Sequence, residues 1–332
     1  IHLIDVGTGL SILVQGPDFA MLFDGGSSDP DESPLRVVDY LEAALGPSGD
    51  GDCRESRASA PGRRVIDDVV LSHPHQDHAS ALDLVLHCFD VHDVWDSGAV
   101  NDAVFYRDFL SEVARDAGAT YHTAADPPAD RTVEVKGVPV VIPPAVRWVP
   151  FREAERVKLG AGAGFEILHA EGKRHPDPNQ NSIVLSVDLG RTRLLLTGDA
   201  ESGEREPPSA PPGDVEAHLL DDFRPEIDAD ILQVGHHGSL TSSRARFISA
   251  VSPKLALVSA GPKRFGRVRL PDQEIIDELH DDGITVLRTD AHDEHCDLAE
   301  RIGPAHGPGG CDSYVITVTD PPATPAAGAG PT

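Results

Sequence analysis

Positive charge is scarce in this chain. Its 332 residues carry 28 lysines and arginines against 55 aspartates and glutamates, a formal net charge of −27. A polyanion needs a basic stripe to bind, so strong general DNA binding is not expected. A nucleotide or small phosphoester in a metal-lined cleft is not excluded, because bound cations reverse the local field. Adaptation to high salt or GC-rich coding accounts for the acidity without a functional cause. Long apolar runs are missing as well. None approaches the roughly 20 residues of a membrane-spanning helix, and no secretory leader opens the chain. It starts in a strand-like segment, Ile1-His2-Leu3, with no initiator methionine, as a trimmed chain or a fragment would. Aromatic residues make up only 5% and hydrophobic residues 39%, so a core is expected with long polar loops around it. Cysteine is limited to Cys53, Cys88, Cys296 and Cys311, with no CxxC pair. That scatter reads as free thiols in a reducing, cytoplasmic compartment. Cys296 and Cys311 lie near His292, His295 and His306, where a solvated His-rich loop is favoured over a second zinc site.

What the chain does have is the run Ser72-His73-Pro74-His75-Gln76-Asp77-His78. It follows an apolar stretch, Val65 to Leu71, that reads as a buried strand. His73 and His75 alternate on an extended segment and can face one ion. Asp77 and His78 follow where a helix begins and can serve a neighbouring ion. Imidazole with carboxylate suits zinc or manganese. Two other segments end in the same way. Leu194-Leu195-Leu196-Thr197-Gly198-Asp199 is an apolar strand closing on a carboxylate that can bridge two cations. Ile231 to Val234 is another, closing on Gly235-His236-His237-Gly238-Ser239. Three strand ends thus supply one ligand set, with loops carrying the groups and sheets holding them still.

Strand and helix patterns alternate in two halves. Helical spacing marks Pro34 to Leu45, about Ala79 to Cys88, Asp102 to Ala117 and Asp272 to His280. Strands are expected at Ile1–Val6, Ser11–Gln15, Ala20–Phe23 and Val91–Trp95, and as short pieces from Thr132 to Pro150. The second half adds Ser182–Leu189, Arg193–Thr197, Lys254–Ser259, Thr285–Leu287 and Tyr314–Val318. Residues 46–64 and 201–222 read as insertions, the second with a loose helix. The expected architecture is an α/β (α+β) αββα sandwich of two mixed sheets with helices outside, a single domain over 1–319. A disordered Pro/Ala/Gly tail over 320–332 reads as the natural end of a stand-alone protein.

These motifs resemble the metallo-β-lactamase superfamily, whose His-x-His-x-Asp-His signature is matched by His73, His75, Asp77 and His78. Within it the likeness is to the ComEC-like hydrolase domains of DNA-uptake proteins. Ile4-Asp5-Val6-Gly7-Thr8-Gly9, Leu22-Phe23-Asp24-Gly25-Gly26, the His run, Asn181-Ser182-Ile183-Val184-Leu185 with Leu196-Thr197-Gly198-Asp199, and His236-His237-Gly238-Ser239 carry it in order. The resemblance implies one or two Zn2+ ions, with Mn2+ as the alternative. His73 and His75 would bind one, Asp77 and His78 the other. Asp199 would bridge, and His236 or His237 would close the second site. Asn181 stands where many members place another histidine and is expected to face the first metal. Leu10 and Leu270 depart from the pattern on what is the substrate side in the family.

The implied chemistry is hydrolysis by a metal-activated hydroxide, with Asp77 orienting it and Asp199 bridging. Phosphodiester or phosphoester bonds suit a two-metal clamp, and Ser239, Thr241 and Ser242 could bond a phosphate oxygen or simply cap their loop. The rivals are a lactonase, β-lactamase or thioester hydrolase, and a non-catalytic binding protein on the same fold. The sequence leaves the oligomeric state open.

Overall fold

The computed structural model describes residues 1–27, 35–46, 64–291 and 312–319. Two mixed sheets form its centre. The first has eight strands in the order Tyr314–Val315, His2–Leu3, Ile12–Gln15, Ala20–Phe23, Val65–Leu71, Asp90–Asp96, Thr120–Thr123 and Arg147–Pro150. The second has seven: Arg156–Gly160, Ala163–His169, Val184–Leu189, Thr192–Leu196, Ile231–Gln233, Leu255–Val258 and Thr285–Arg288. Each sheet is antiparallel at one side and parallel from its fourth strand onward.

The apolar strands are buried on both faces, which is why they read as unbroken hydrophobic runs. In Val65–Leu71, Val70 points at the other sheet, while Val69 and Leu71 point at helices. In Thr192–Leu196, Leu194 and Leu196 point between the sheets and Leu195 points outward. Leu35–Leu45, Leu82–Cys88 and Val104–Arg115 cover the outside of the first sheet through Leu41, Val85, Phe109 and their neighbours. Asp214–Asp222, Ala245–Val251 and Gln273–Asp281 cover the second through Leu219, Ile248 and Ile276. The result is the expected αββα sandwich.

Several details differ from the sequence reading. The helix expected from Ala79 to Cys88 is two, Gln76–Ala79 and Leu82–Cys88. Between them the Ala81 N–H is taken by the Gly25 carbonyl at 2.8 Å, a tertiary bond that competes with helix continuation. Thr120–Thr123, Arg156–Gly160 and Ala163–His169 are strands that no apolar run announces. The loose helix of the 201–222 stretch is a docked one, with Val215, Leu219 and Leu220 buried. Most of the 46–64 insertion, the 292–311 His/Cys stretch and the tail from Asp320 lie outside the described residues. The free-thiol expectation fails at Cys88: it is fully buried and disulfide-bonded, to a partner outside the described residues. A persistent disulfide removes the argument for a reducing compartment. No helix among the described residues is long and apolar enough to cross a membrane.

Candidate metal centre

The carboxyl ends of the parallel strands in both sheets converge on one place. Val65–Leu71 delivers the His73–His78 loop, Thr192–Leu196 delivers Asp199, and Ile231–Gln233 delivers His236 and His237. The strand ends are stapled together by Gln233. Its Oε1 accepts from the N–H groups of Thr197 and Gly198 at 2.7 and 2.8 Å. Its Nε2 donates to the carbonyls of Gly198 and Val234 at 3.0 and 2.8 Å. Loop geometry is tight: a side chain on Gly26 would start 1.7 Å from the Asp77 carbonyl oxygen. His236 and His237 both sit in left-handed backbone, φ 45° and 53°. Such conformations cost of order 1–3 kcal/mol each away from glycine and concentrate at functional sites.

Asp199 lies at the centre. Its Oδ2 is 3.2 Å from His78 Nε2, 3.5 Å from His237 Nε2 and 3.9 Å from both His73 Nε2 and His236 Nε2. Asp77 Oδ2 is 3.7 Å from His237 Nε2, and His73 Nε2 is 3.0 Å from His75 Nδ1. Two triads have ligand atoms within 4.8 Å of one another: His73 with His78 and Asp199, and Asp77 with His78 and His237.

The outer partners fix each ring. His78 Nδ1 donates to Asp24 Oδ2 at 2.7 Å, so its lone pair is on Nε2. Asp24 is fully buried and also accepts from the Ser72 N–H and hydroxyl, each at 2.7 Å. His237 Nδ1 donates to the Ser259 carbonyl at 2.8 Å, again leaving Nε2 facing the site. Carboxylate or carbonyl behind imidazole is the usual second tier of a metal site. His236 is turned differently: its Nδ1 is 2.6 Å from Glu201 Oε1.

Electrostatics point the same way. Burial alone would raise Asp77 and Asp199, but the surrounding imidazoles outweigh it and hold both carboxyls well below their usual range. Burial pushes His73 and His75 down, keeping them neutral. Burial opposes charge on His78 too, yet Asp199 and Asp24 overcome it and raise that imidazole well above its ordinary value. Asp77, Asp199, His73 and His75 are thus deprotonated donors in a field that attracts a cation, and an incoming cation would displace the proton from His78. The fit has a more direct sign. His78 Nε2, His237 Nε2 and Asp199 Oδ1 are buried with no hydrogen-bond partner, and a buried donor or acceptor left this way is costly. A divalent ion would satisfy all three.

Other expectations come out differently. Asn181 is fully buried, but its amide is turned to the loop before it. Nδ2 donates to the Glu171 and Lys173 carbonyls at 2.8 Å, and Oδ1 accepts from the His175 N–H at 2.9 Å. Leu10 is packed between the sheets, so its place on the substrate side is lost to the core. Ser239, Thr241 and Ser242 bond one another, Gly235 and His236, which is loop capping. Asp24, Gln233, Glu201 and Ser259 were not expected in the site. Only Asp24, in an Asp-Gly-Gly closing an apolar run, carried a signal.

A buried His/Asp cluster built for divalent cations, on strand ends of a two-sheet sandwich, defines a metal-dependent hydrolase. The family is settled by comparison. The model of the metallo-β-lactamase superfamily matches residues 4–261, and the chain belongs to that superfamily. It is 28% identical over 298 residues to ComE operon protein 3 of Bacillus subtilis, covering 87% of this chain and 32% of that one. It is 26% identical over 287 residues to competence protein ComA of Neisseria gonorrhoeae, covering 86% and 30%. The chain therefore spans about a third of these relatives' length. Among solved structures it is similar to Igni18, a metallo hydrolase from Ignicoccus hospitalis. There the TM-score is 0.46 at 10% identity, covering 96% of this chain and 100% of that one.

Proposed function

We propose that the chain is a phosphodiesterase of the ComEC-like branch, acting with zinc or manganese. His73 and His75 serve one ion, and Asp77, His78 and His237 the other, with Asp199 between them. His237 rather than His236 takes this role because its Nε2 is buried beside both Asp77 and Asp199 and its Nδ1 is already committed. His236 belongs to the wall with Glu201. Asn181 acts by holding the 171–175 loop rather than as a ligand.

The observation that carries the reading is the pair of overlapping triads, His73 with His78 and Asp199 and Asp77 with His78 and His237, which share His78. Two neighbouring cations, if bound, would stabilise both the attacking and the leaving oxygen of an in-line displacement, the reaction phosphodiesters undergo. When bound, such ions supply Lewis acidity and make water a nucleophile near neutral pH. The chain's own groups do the remainder. Asp77 keeps its carboxylate ionised and orients the attacking water. Asp24 and Ser259 keep His78 and His237 in the right tautomer and direction. The apolar layer that includes Leu10, Phe23 and Leu196 is closed to solvent.

The test is hydrolysis of bis-p-nitrophenyl phosphate with added Zn2+ or Mn2+, run beside lactone and β-lactam substrates. Chelator-sensitive phosphodiester cleavage is expected. His237→Ala should lose at least about 100-fold, beyond the range typical of outer partners, and bind fewer metal equivalents, whereas His236→Ala should keep its metal. Hydrolysis of lactones alone, or less than one equivalent of bound metal in the unaltered protein, would overturn the reading.

A further inference from the structure

Two short ribbons stand outside both sheets, Thr132–Val135 with Val138–Val141 and a second, basic one. Arg264–Phe265 and Val268–Arg269 form a separate two-stranded hairpin, turning at Gly266 with φ 65°. In a chain with about twice as many acids as bases, it carries Lys263, Arg264, Arg267 and Arg269 within seven residues. No carboxylate occurs from Ser259 to Pro271. Arg264, Phe265 and Arg267 are exposed, Phe265 at 41%, and the Lys263 ammonium lies 5.2 Å from the Phe265 ring centroid. Lys263, Arg264 and Arg267 make no ion pair among the described residues. Arg264 stands opposite Arg269 in the register, with both side chains on one face. Arg264 and Arg267 thus have no carboxylate partner among the described residues, and an anion lying on the hairpin would supply a partner.

The feet of the hairpin stand on the metal centre. Ser259 accepts from His237 Nδ1, and its hydroxyl donates to the Gly9 carbonyl at 2.7 Å. The Lys263 N–H donates to Thr8 Oγ1 at 3.0 Å. The next residues of that loop reach the ligand run, with the Leu10 N–H bonded to the Asp77 carbonyl at 2.9 Å. On the return, Asp272 N–H donates to the Gly238 carbonyl at 2.9 Å. Both ends of the hairpin are thus tied to the loops that carry the His73–His78 run and the His236-His237 pair.

We infer that the Lys263–Arg269 hairpin is the arm that grips a phosphodiester chain beside the bond being cut, with Arg264 and Arg267 on flanking phosphates and Phe265 stacking on an unpaired base. The inference rests on the phosphodiesterase reading and adds its specificity element. Exposed aromatics among cations are the working surface for single strands. They also reconcile a repulsive overall charge with an extended polyanionic substrate, since the field changes sign where the strand must enter.

The test uses the whole chain and a fluorescein-labelled oligothymidylate of about 20 nucleotides. Binding is read by anisotropy in EDTA, where no hydrolysis can occur, and cleavage is read separately with metal. In Arg264→Ala/Arg267→Ala, affinity should fall roughly tenfold or more, and the slope of log affinity against log salt should shrink by about 1.4, near 0.7 per lost contact. Phe265→Ala should weaken binding by about tenfold with the salt slope unchanged. KM for the oligomer should rise while kcat for bis-p-nitrophenyl phosphate stays put. The lysine pair Arg264→Lys/Arg267→Lys should recover most of the affinity. Unchanged anisotropy overturns the inference, as does an equal fall on the short ester, which would mark a structural role. Arg-dependent binding to phosphatidylglycerol vesicles with no effect on the oligomer overturns it in favour of a lipid headgroup. If arm-dependent binding persists but neither phosphodiester is cut, the arm stands and the phosphodiesterase reading fails.

Discussion

Asp68 is an acid in the layer between the sheets. It is 5% exposed and accepts from the Trp95 indole N–H at 2.8 Å. Burial, which outweighs that bond and is helped by Asp93 and Asp67, raises its pKa from 3.8 to about 7. The folded chain therefore holds a proton there that the unfolded chain has lost, and stability falls as pH rises from about 4 to about 7. The full span is worth on the order of 4 kcal/mol. Asp68→Asn keeps the acceptor for Trp95 and removes the titration. Its denaturant midpoint should vary less over that window and exceed the parent's above pH 7; identical pH profiles would show that Asp68 does not carry the effect. At this scale the clustered donors were legible in the sequence, because His73, His75, Asp77 and His78 are packed into one run. Their orienting partners were not. Asp24 is 54 residues from His78, and nothing local links them. Asn181 was misread for the same reason: its position matches a ligand's, but its amide bonds were decided by a loop that only folding brings near.

Among the elements, the most demanding contact is between Gly26 and the peptide after Asp77. A methyl group there would begin 1.7 Å from the Asp77 oxygen and 1.9 Å from its carbon. Both atoms are backbone, so no rotamer can yield. Gly26→Ala should destabilise the protein by about 1–3 kcal/mol or more and lower its bound metal, because the shift acts on the ligand loop itself. Gly118→Ala, whose new methyl would meet nothing nearer than 3.4 Å, serves as the control and should stay within about 0.5 kcal/mol. Calorimetry and metal analysis of the two variants check this; equal melting temperatures would remove Gly26 from the argument. Strands such as Val65–Leu71 and Thr192–Leu196 were readable because they are apolar on both faces. Arg156–Gly160 was not, since its side chains alternate between exposed and half-buried with few apolar ones to mark it. The basic hairpin was visible only as an interruption, and its meaning depends on where its feet rest.

Over the whole molecule, the disulfide at Cys88 changes the expected chemistry of the chain. It anchors the end of the Leu82–Cys88 helix, which packs on the first sheet. No more than two of the four cysteines should react with a thiol reagent in denaturant until a reductant is added, and reduction should cost about 2–5 kcal/mol of stability. Four reactive thiols without reductant would refute it.

The tie between His78 and Asp24 reaches further. With Nδ1 engaged, His78 has a single lone pair, yet both ligand triads claim it. It can complete only one of them at a time. The position with Asp77 and His237 then has three donors besides Asp199, while the position with His73 and His75 has two and no third imidazole at residue 181. On the proposed two-ion reading, the ion beside Asp77, His78 and His237 should be the more tightly held. The one beside His73 and His75 should exchange with the surroundings, so that turnover should follow the free metal concentration.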